Sequence, residues 1–195
     1  MGGNPPIKNH TIVNKIVSSR KIERIIIFTV FRDNWQPYMK KYTEVFQSHF
    51  PSLNTDYLLL DTEQIDFDSY LDADLIIIGG GNTEKYIATY VNQEFKKYID
   101  HMLKKEAKII GFSAGALLLG EKVYVSPNDN SDHQIKIKDG LGLFNQFLIS
   151  VHYDSWNDKA NRDKAEELVN VPIIPLNDHS CLVLDKLGNI IEKID

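Results

Sequence analysis

Four short runs of this chain are apolar at nearly every position: Ile25–Val30, Tyr57–Leu60, Leu75–Ile78 and Lys108–Gly111. They lack apolar/polar alternation, as strands buried on both faces do. Between the first two, Trp35–Phe50 places Trp35, Tyr38, Met39, Tyr42, Val45 and Phe46 at helical spacing. Thr83–Val91 and Gln93–Lys105, between the third and fourth, repeat that pattern. Strands and helices that alternate this way predict an α/β fold with a mostly parallel sheet and helices on both faces. Beyond residue 120 the pattern changes. Ser126–Asp139 is polar and rich in turn residues, a loop long enough to carry function. A strand at Phe147–Val151, a charged helix at Lys159–Val169 and strands at Ile173–Leu176, Cys181–Leu184 and Asn189–Lys193 follow, with Gly188-Asn189 as the last hairpin turn. No repeat, low-complexity segment or linker interrupts the chain, so residues 1–195 read as one domain.

Bulk properties narrow the classes. The 195 residues are 43% hydrophobic and 25% charged, with a formal net charge of −5. That balance suits a globular protein and argues against a nucleic-acid or anionic-membrane partner. No apolar run approaches the roughly 20 residues that span a bilayer. The opening MGGNPPIKNH has no signal-peptide core, and Pro6 stands where a myristoylation signal wants Ser or Thr. The single cysteine, Cys181, reads as a buried strand residue and fits a reducing cytoplasm.

Candidate chemistry concentrates where strands end. Gly111-Phe112-Ser113-Ala114-Gly115 fits the G-x-S-x-G nucleophile elbow, in which a serine occupies a strained strand-to-helix turn and needs small neighbours two residues away. Such a turn aims the Ala114 N–H into the space above Ser113, at a helix start that favours developing negative charge. Leu75–Ile78 runs into Gly79-Gly80-Gly81-Asn82-Thr83, a second strand end opening a helix. In a parallel sheet both loops face one crevice. Gly80 or Gly81 is then a candidate second oxyanion donor, and Asn82 or Thr83 a candidate helix cap.

Of the six histidines, His10, His49 and His101 read as solvated or half-buried, and His133 lies in the polar loop. His152 directly follows a buried strand, where a general base for Ser113 has to be. Asp178 follows the strand Ile173–Leu176 and is placed to orient the imidazole, with Asp154 and His179 as competitors. The order Ser, His, Asp differs from the common α/β-hydrolase order. His152-Tyr153-Asp154 has no partner at zinc-ligand spacing, so no metal or other cofactor is expected.

Four pieces, in order, resemble the peptidase E and cyanophycinase group of serine peptidases: GGGNT at 79–83, GFSAGA at 111–116, GLGLF at 140–144 with VHYD at 151–154, and NDHSCLVL at 177–184. The resemblance covers roughly residues 21 to 185. It implies a flavodoxin-like three-layer sandwich related to the class I glutamine amidotransferases, with Ser113 as nucleophile and His152 as base. It implies an acidic third member, best matched by Asp178, and hydrolysis of dipeptides with an N-terminal aspartate. Asp132 and Arg162 match family positions near the substrate, with Arg162 holding the acidic side chain, and Asn82 is placed with them as a candidate substrate-binding residue. Family members begin with a strand leading into a Gly-rich turn. The segment from Met1-Gly2-Gly3 up to Ile25 shows no such strand, leaving the sheet one strand short or its edge filled another way. An exposed edge admits a second chain, so monomer and homodimer are both open. An esterase or amidase using the same elbow, and a non-catalytic member that binds a peptide or amino acid, remain the alternatives.

Overall fold

β1 (Arg24–Thr29) shows why the apolar runs are unbroken. Adjacent strand residues point to opposite faces. Ile25 and Ile27 meet Met39, Tyr42, Val45 and Phe46 of α1 (Trp35–His49) on one face. Ile26 and Phe28 meet Tyr86 and Tyr90 of α2 (Thr83–Tyr90) and Phe95, Tyr98 and Ile99 of α3 (Gln93–Lys104) on the other. Phe28 packs edge-on to Phe95 with ring centroids 4.8 Å apart, a contact that adds about 1 kcal/mol to the area each ring buries.

The computed structural model describes Met1–Gly3, Val13, Lys15 and residues 21–195. Readings that fall on Pro6, on His10 and on most of the opening segment lie outside the described residues. β2 (Asn54–Leu59), β1, β3 (Leu75–Ile78) and β4 (Lys108–Gly111) form a sheet in the order β2-β1-β3-β4, parallel throughout. The register pairs Ile25 with Leu75 and Leu75 with Lys108, which brings the C-terminal ends of β1, β3 and β4 to one edge. The order reverses between β1 and β3, where a crevice opens at that edge. Asparagines cap two helices: Asn82 Oδ1 accepts from Lys85 N at 2.8 Å and Asn92 Oδ1 from Phe95 N at 2.9 Å.

After a single helical turn, α4 (Ala114–Leu117), come β5 (Lys122–Val125) and β6 (Lys136–Asp139), antiparallel to each other. The predicted loop Ser126–Asp139 therefore ends in a strand. β6 is half-exposed and carries two lysines, so its sequence lacks the apolar pattern that marks the central strands. β7 (Leu148–Ser150) pairs in parallel with β8 (Ile173–Pro175), and β9 (Cys181–Leu184) pairs antiparallel with β10 (Ile190–Ile194). Between β7 and β8, α5 (Lys159–Glu166) stops three residues short of the predicted Val169. Glu166 turns back there to accept from Ile173 N at 2.9 Å. Among the described residues, no helix is long and apolar enough to cross a membrane.

Candidate active site

The chain leaves β4 at Gly111 and enters α4 at Ala114, and Ser113 makes the corner with φ 50° and ψ −117°. A residue with a Cβ holds such a conformation at a cost of about 1–3 kcal/mol. Close packing imposes it. A Cβ on Gly111 would lie 2.4 Å from Gly115 O, and one on Gly115 would lie 2.2 Å from Ile78 O. The small residues of the motif are thus demanded by backbone that passes within contact of them.

His152 follows β7 and also has positive φ, at 53°. Its Nε2 is 2.8 Å from Ser113 Oγ, and its Nδ1 is 2.5 Å from Asp178 Oδ1. A carboxylate at Nδ1 holds the ring proton there, which leaves Nε2 as an acceptor and lets the Ser113 hydroxyl donate to it. Trp156 lies against the imidazole, with ring centroids 4.5 Å apart. Asp154 and His179, the competing partners, are both exposed.

The described part of the opening segment joins these elements. Met1 O accepts from Ser113 N at 3.1 Å, Gly2 O accepts from His152 N at 3.1 Å, and Gly2 N donates to Ser180 O at 3.0 Å. A Cβ on Gly3 would stand 2.4 Å from Asp178 Oδ1 and 2.6 Å from His152 Cε1. Met1–Gly3 form no strand, but they place a glycine pair beside the site, where the sequence pattern suggested that none leads in.

Both candidate oxyanion regions border Ser113, with one correction. Gly80 N already donates to Tyr42 Oη at 3.1 Å, so this N–H is not available to a ligand without breaking that bond. Gly81 N and Ala114 N make no hydrogen bond among the described residues. α4 is only four residues long, so individual N–H groups, rather than a helix dipole, face the space above the hydroxyl.

That space is a cavity of about 210 Å³. Besides Ser113, His152 and the glycines, it is lined by Arg32, Tyr38, Tyr42, Asp129 and Trp156, none of which the sequence pattern marked as a site residue. A broader depression of about 700 Å³, lined by Asp66, Glu94 and His101 among others, shares no residue with it. The three substrate-binding assignments fare differently. Asn82 is exposed and its carbonyl caps α2. Asp132 is exposed and pairs with Lys136 at 2.8 Å. Arg162 pairs with Asp163 at 2.7 Å and Glu166 at 2.9 Å, and its Nη1 donates to Ile173 O. None of the three lines the cavity, and Arg162 instead fastens α5 to β8. His133 is exposed, with Nδ1 3.0 Å from Pro127 O.

Asp129 is the carboxylate that the polar loop does bring in. It ends the turn Pro127–Asp129, which Ser126 caps by accepting from Asn128 N at 3.1 Å. Burial pushes its carboxyl up from 3.8 to about 6. The native state therefore binds this proton more tightly than the unfolded chain does. The stability it contributes is fully present below about pH 4 and is lost as pH rises through about 6. Asp129→Asn is expected to stabilise the protein by roughly 2–3 kcal/mol at pH 7.5 and markedly less at pH 4.5. Urea unfolding at the two pH values measures this, and an equal effect at both would show that the carboxyl does not titrate between them.

Behind this lining, the Asp158 carboxylate is fully buried. Its Oδ1 accepts from Ser126 Oγ at 2.5 Å, Asn161 Nδ2 at 3.1 Å and Asn128 Nδ2 at 3.4 Å. Its Oδ2 accepts from Ser150 Oγ at 2.9 Å and Tyr124 Oη at 3.0 Å. Five donors offset the cost of burying a charge. They bind the turn that carries Asp129 to the end of β7, two residues before His152.

Known proteins share this arrangement of strands. A crystal structure carrying the peptidase E name, from Listeria monocytogenes EGD-e, superposes with a TM-score of 0.73 at 18% identity, over 98% of this chain and 94% of the other. A peptidase from an acI-B1 Actinobacterium gives a TM-score of 0.67 at 16% identity, over 93% of this chain and 80% of the other. At these identities the likeness is one of fold. A stretch of 77 residues, 39% of this chain, is 40% identical to part of the cobyric acid synthase of Listeria welshimeri serovar 6b. It spans 15% of that enzyme's length, too little to carry the activity across. The sequence model of peptidase family S51 matches residues 28–190, a span that takes in the elbow, His152 and Asp178 alike, and the chain belongs to that family.

Proposed function

We propose that this protein is a serine peptidase acting on short peptides, dipeptides with an N-terminal aspartate among them, through Ser113, His152 and Asp178. The observation that carries the reading is the 2.8 Å approach of His152 Nε2 to Ser113 Oγ, with Asp178 on the far nitrogen. Ser113 Oγ attacks the scissile carbonyl as its proton passes to Nε2. The oxyanion that forms lies beside Ala114 N–H and Gly81 N–H. The imidazolium, held by Asp178, then protonates the departing amine, and an acyl-serine remains. A water molecule, deprotonated by the same imidazole, attacks the acyl group; the acyl–Oγ bond breaks, the imidazolium returns the proton to Ser113 Oγ, and the acid leaves. Membership of family S51 supports a serine peptidase, and the small cavity favours short substrates over protein chains.

The test pairs a substrate panel with a covalent probe. Aspartyl dipeptides, neutral dipeptides and acyl esters are incubated with the protein, and products are separated by chromatography. A fluorophosphonate is then expected to add once, on the peptide containing Ser113. Release of amino acids from dipeptides with that adduct supports the reading. Ester turnover alone would make the protein an esterase on the same elbow, and tight dipeptide binding without product would make it a non-catalytic member.

A further inference from the structure

Arg32 stands just past the C-terminal end of β1, at the point where strand order reverses. It lines the same cavity as Ser113, Gly80 and Gly81. Its guanidinium carbon lies 3.5 Å from the centroid of the Tyr38 ring. Stacking on a ring uses the face of the guanidinium and leaves its in-plane N–H groups to find partners elsewhere. One terminal nitrogen, Nη2, is buried and has no hydrogen-bond partner among the described residues. A buried donor left without a partner is costly, and more so when it carries charge.

The other described arginines are spoken for. Arg24 pairs with Asp56 and Asp72. Arg162 pairs with Asp163 and Glu166 through its terminal nitrogens, and although its buried Nε also lacks a partner among the described residues, it does not line the cavity. The loop that presents Arg32 is also held from outside. Phe31 N donates to both oxygens of Asp61, at 3.0 and 2.9 Å, and Lys85 Nζ donates to Phe31 O at 2.7 Å. Lys85 and Asp61 pair in turn at 2.8 Å. A fixed loop, an aromatic platform and an unsatisfied guanidinium edge make a site for a planar anion.

We propose that Arg32 binds a carboxylate of the peptide held beside Ser113, and so sets which peptides the cavity accepts. The inference rests on the cavity being the peptide site. The guanidinium fork matches a carboxylate through two parallel N–H···O bonds. The carboxylate is either an acidic side chain or the peptide's C-terminus, and one experiment separates the two.

Binding is measured by calorimetry in a Ser113→Ala background, so the result does not depend on turnover. The probes are L-aspartyl-L-alanine, L-asparaginyl-L-alanine and L-aspartyl-L-alanine amide. Adding Arg32→Met is expected to weaken binding of the first probe about 10- to 100-fold. Arg32→Lys keeps the charge without the fork and is expected to lose less. If Arg32→Met spares the asparaginyl probe, the side chain is the group recognised; if it spares the amide, the terminal carboxylate is. Equal losses for all three probes, no loss for any, or no saturable binding of the three by the Ser113→Ala protein would overturn the proposal. Failure of the wild-type protein to cleave dipeptides, with Arg32-dependent binding intact, would count against the peptidase reading alone.

Discussion

Ser113→Ala is expected to lower kcat on a cleaved dipeptide about a millionfold, roughly 8 kcal/mol of transition-state stabilisation. The size follows from what the hydroxyl does. In the proposed mechanism no acyl-enzyme forms without it, and His152 and Asp178 have no group to activate, so the expected loss is that of the whole unit. The fold should not change. Alanine carries the same Cβ as serine, so the elbow at φ 50° is no more strained than before. The backbone bond from residue 113 N to Met1 O is untouched as well. Single-turnover assays give the kinetic loss, and unfolding curves that overlay those of the native protein show that it is chemical. Activity within tenfold of the native protein would remove Ser113 from the nucleophile's role.

Asp178→Asn should cost about 10⁴-fold in kcat, although it changes one atom. The carboxylate now accepts from His152 Nδ1 at 2.5 Å. An asparagine can turn its amide N–H toward that nitrogen, which moves the ring proton to Nε2, facing Ser113. The hydroxyl then meets a donor in place of an acceptor. Peptide affinity should stay nearly constant, because the substitution leaves the cavity's shape alone. The effect therefore falls on kcat rather than KM. A loss smaller than tenfold would assign the orienting role to another group and leave Asp178 as one residue of the turn that Ser180 N and Asn177 O close.

The sequence was most readable where geometry leaves few choices. Ile25–Phe28 and Leu75–Ile78 are covered on both faces, so every position must be apolar and no other element fits. Ser113 was readable for a similar reason, since backbone passes so close to Gly111 and Gly115 that only small residues are tolerated. His152 followed from standing directly after a buried strand, and Asp178 from lying a few residues past the end of another. Direction was what the sequence could not convey. Asp132 and Asp129 share one polar loop, and only the fold decides that Asp129 faces the cavity while Asp132 meets Lys136. Arg162 has the right charge for a carboxylate, but its helix turns it toward Glu166. Arg32 belongs to no motif, and only the fold sets it beside Ser113. Gly3 gave no local signal, because the residues it must clear are far along the chain.

Asp158 also bears on how readily this pocket could be altered by descent or by design. The turn carrying Asp129 is joined through one carboxylate to the end of the strand that presents His152. Such a turn is not an interchangeable module. A segment grafted over residues 126–130 from a distant relative would withdraw the Ser126 and Asn128 donors and leave a buried anion underpaired beside the histidine. New specificities built on this scaffold would have to change loop and anchor together, which favours variation at lining residues outside this network, such as Arg32 and Tyr38.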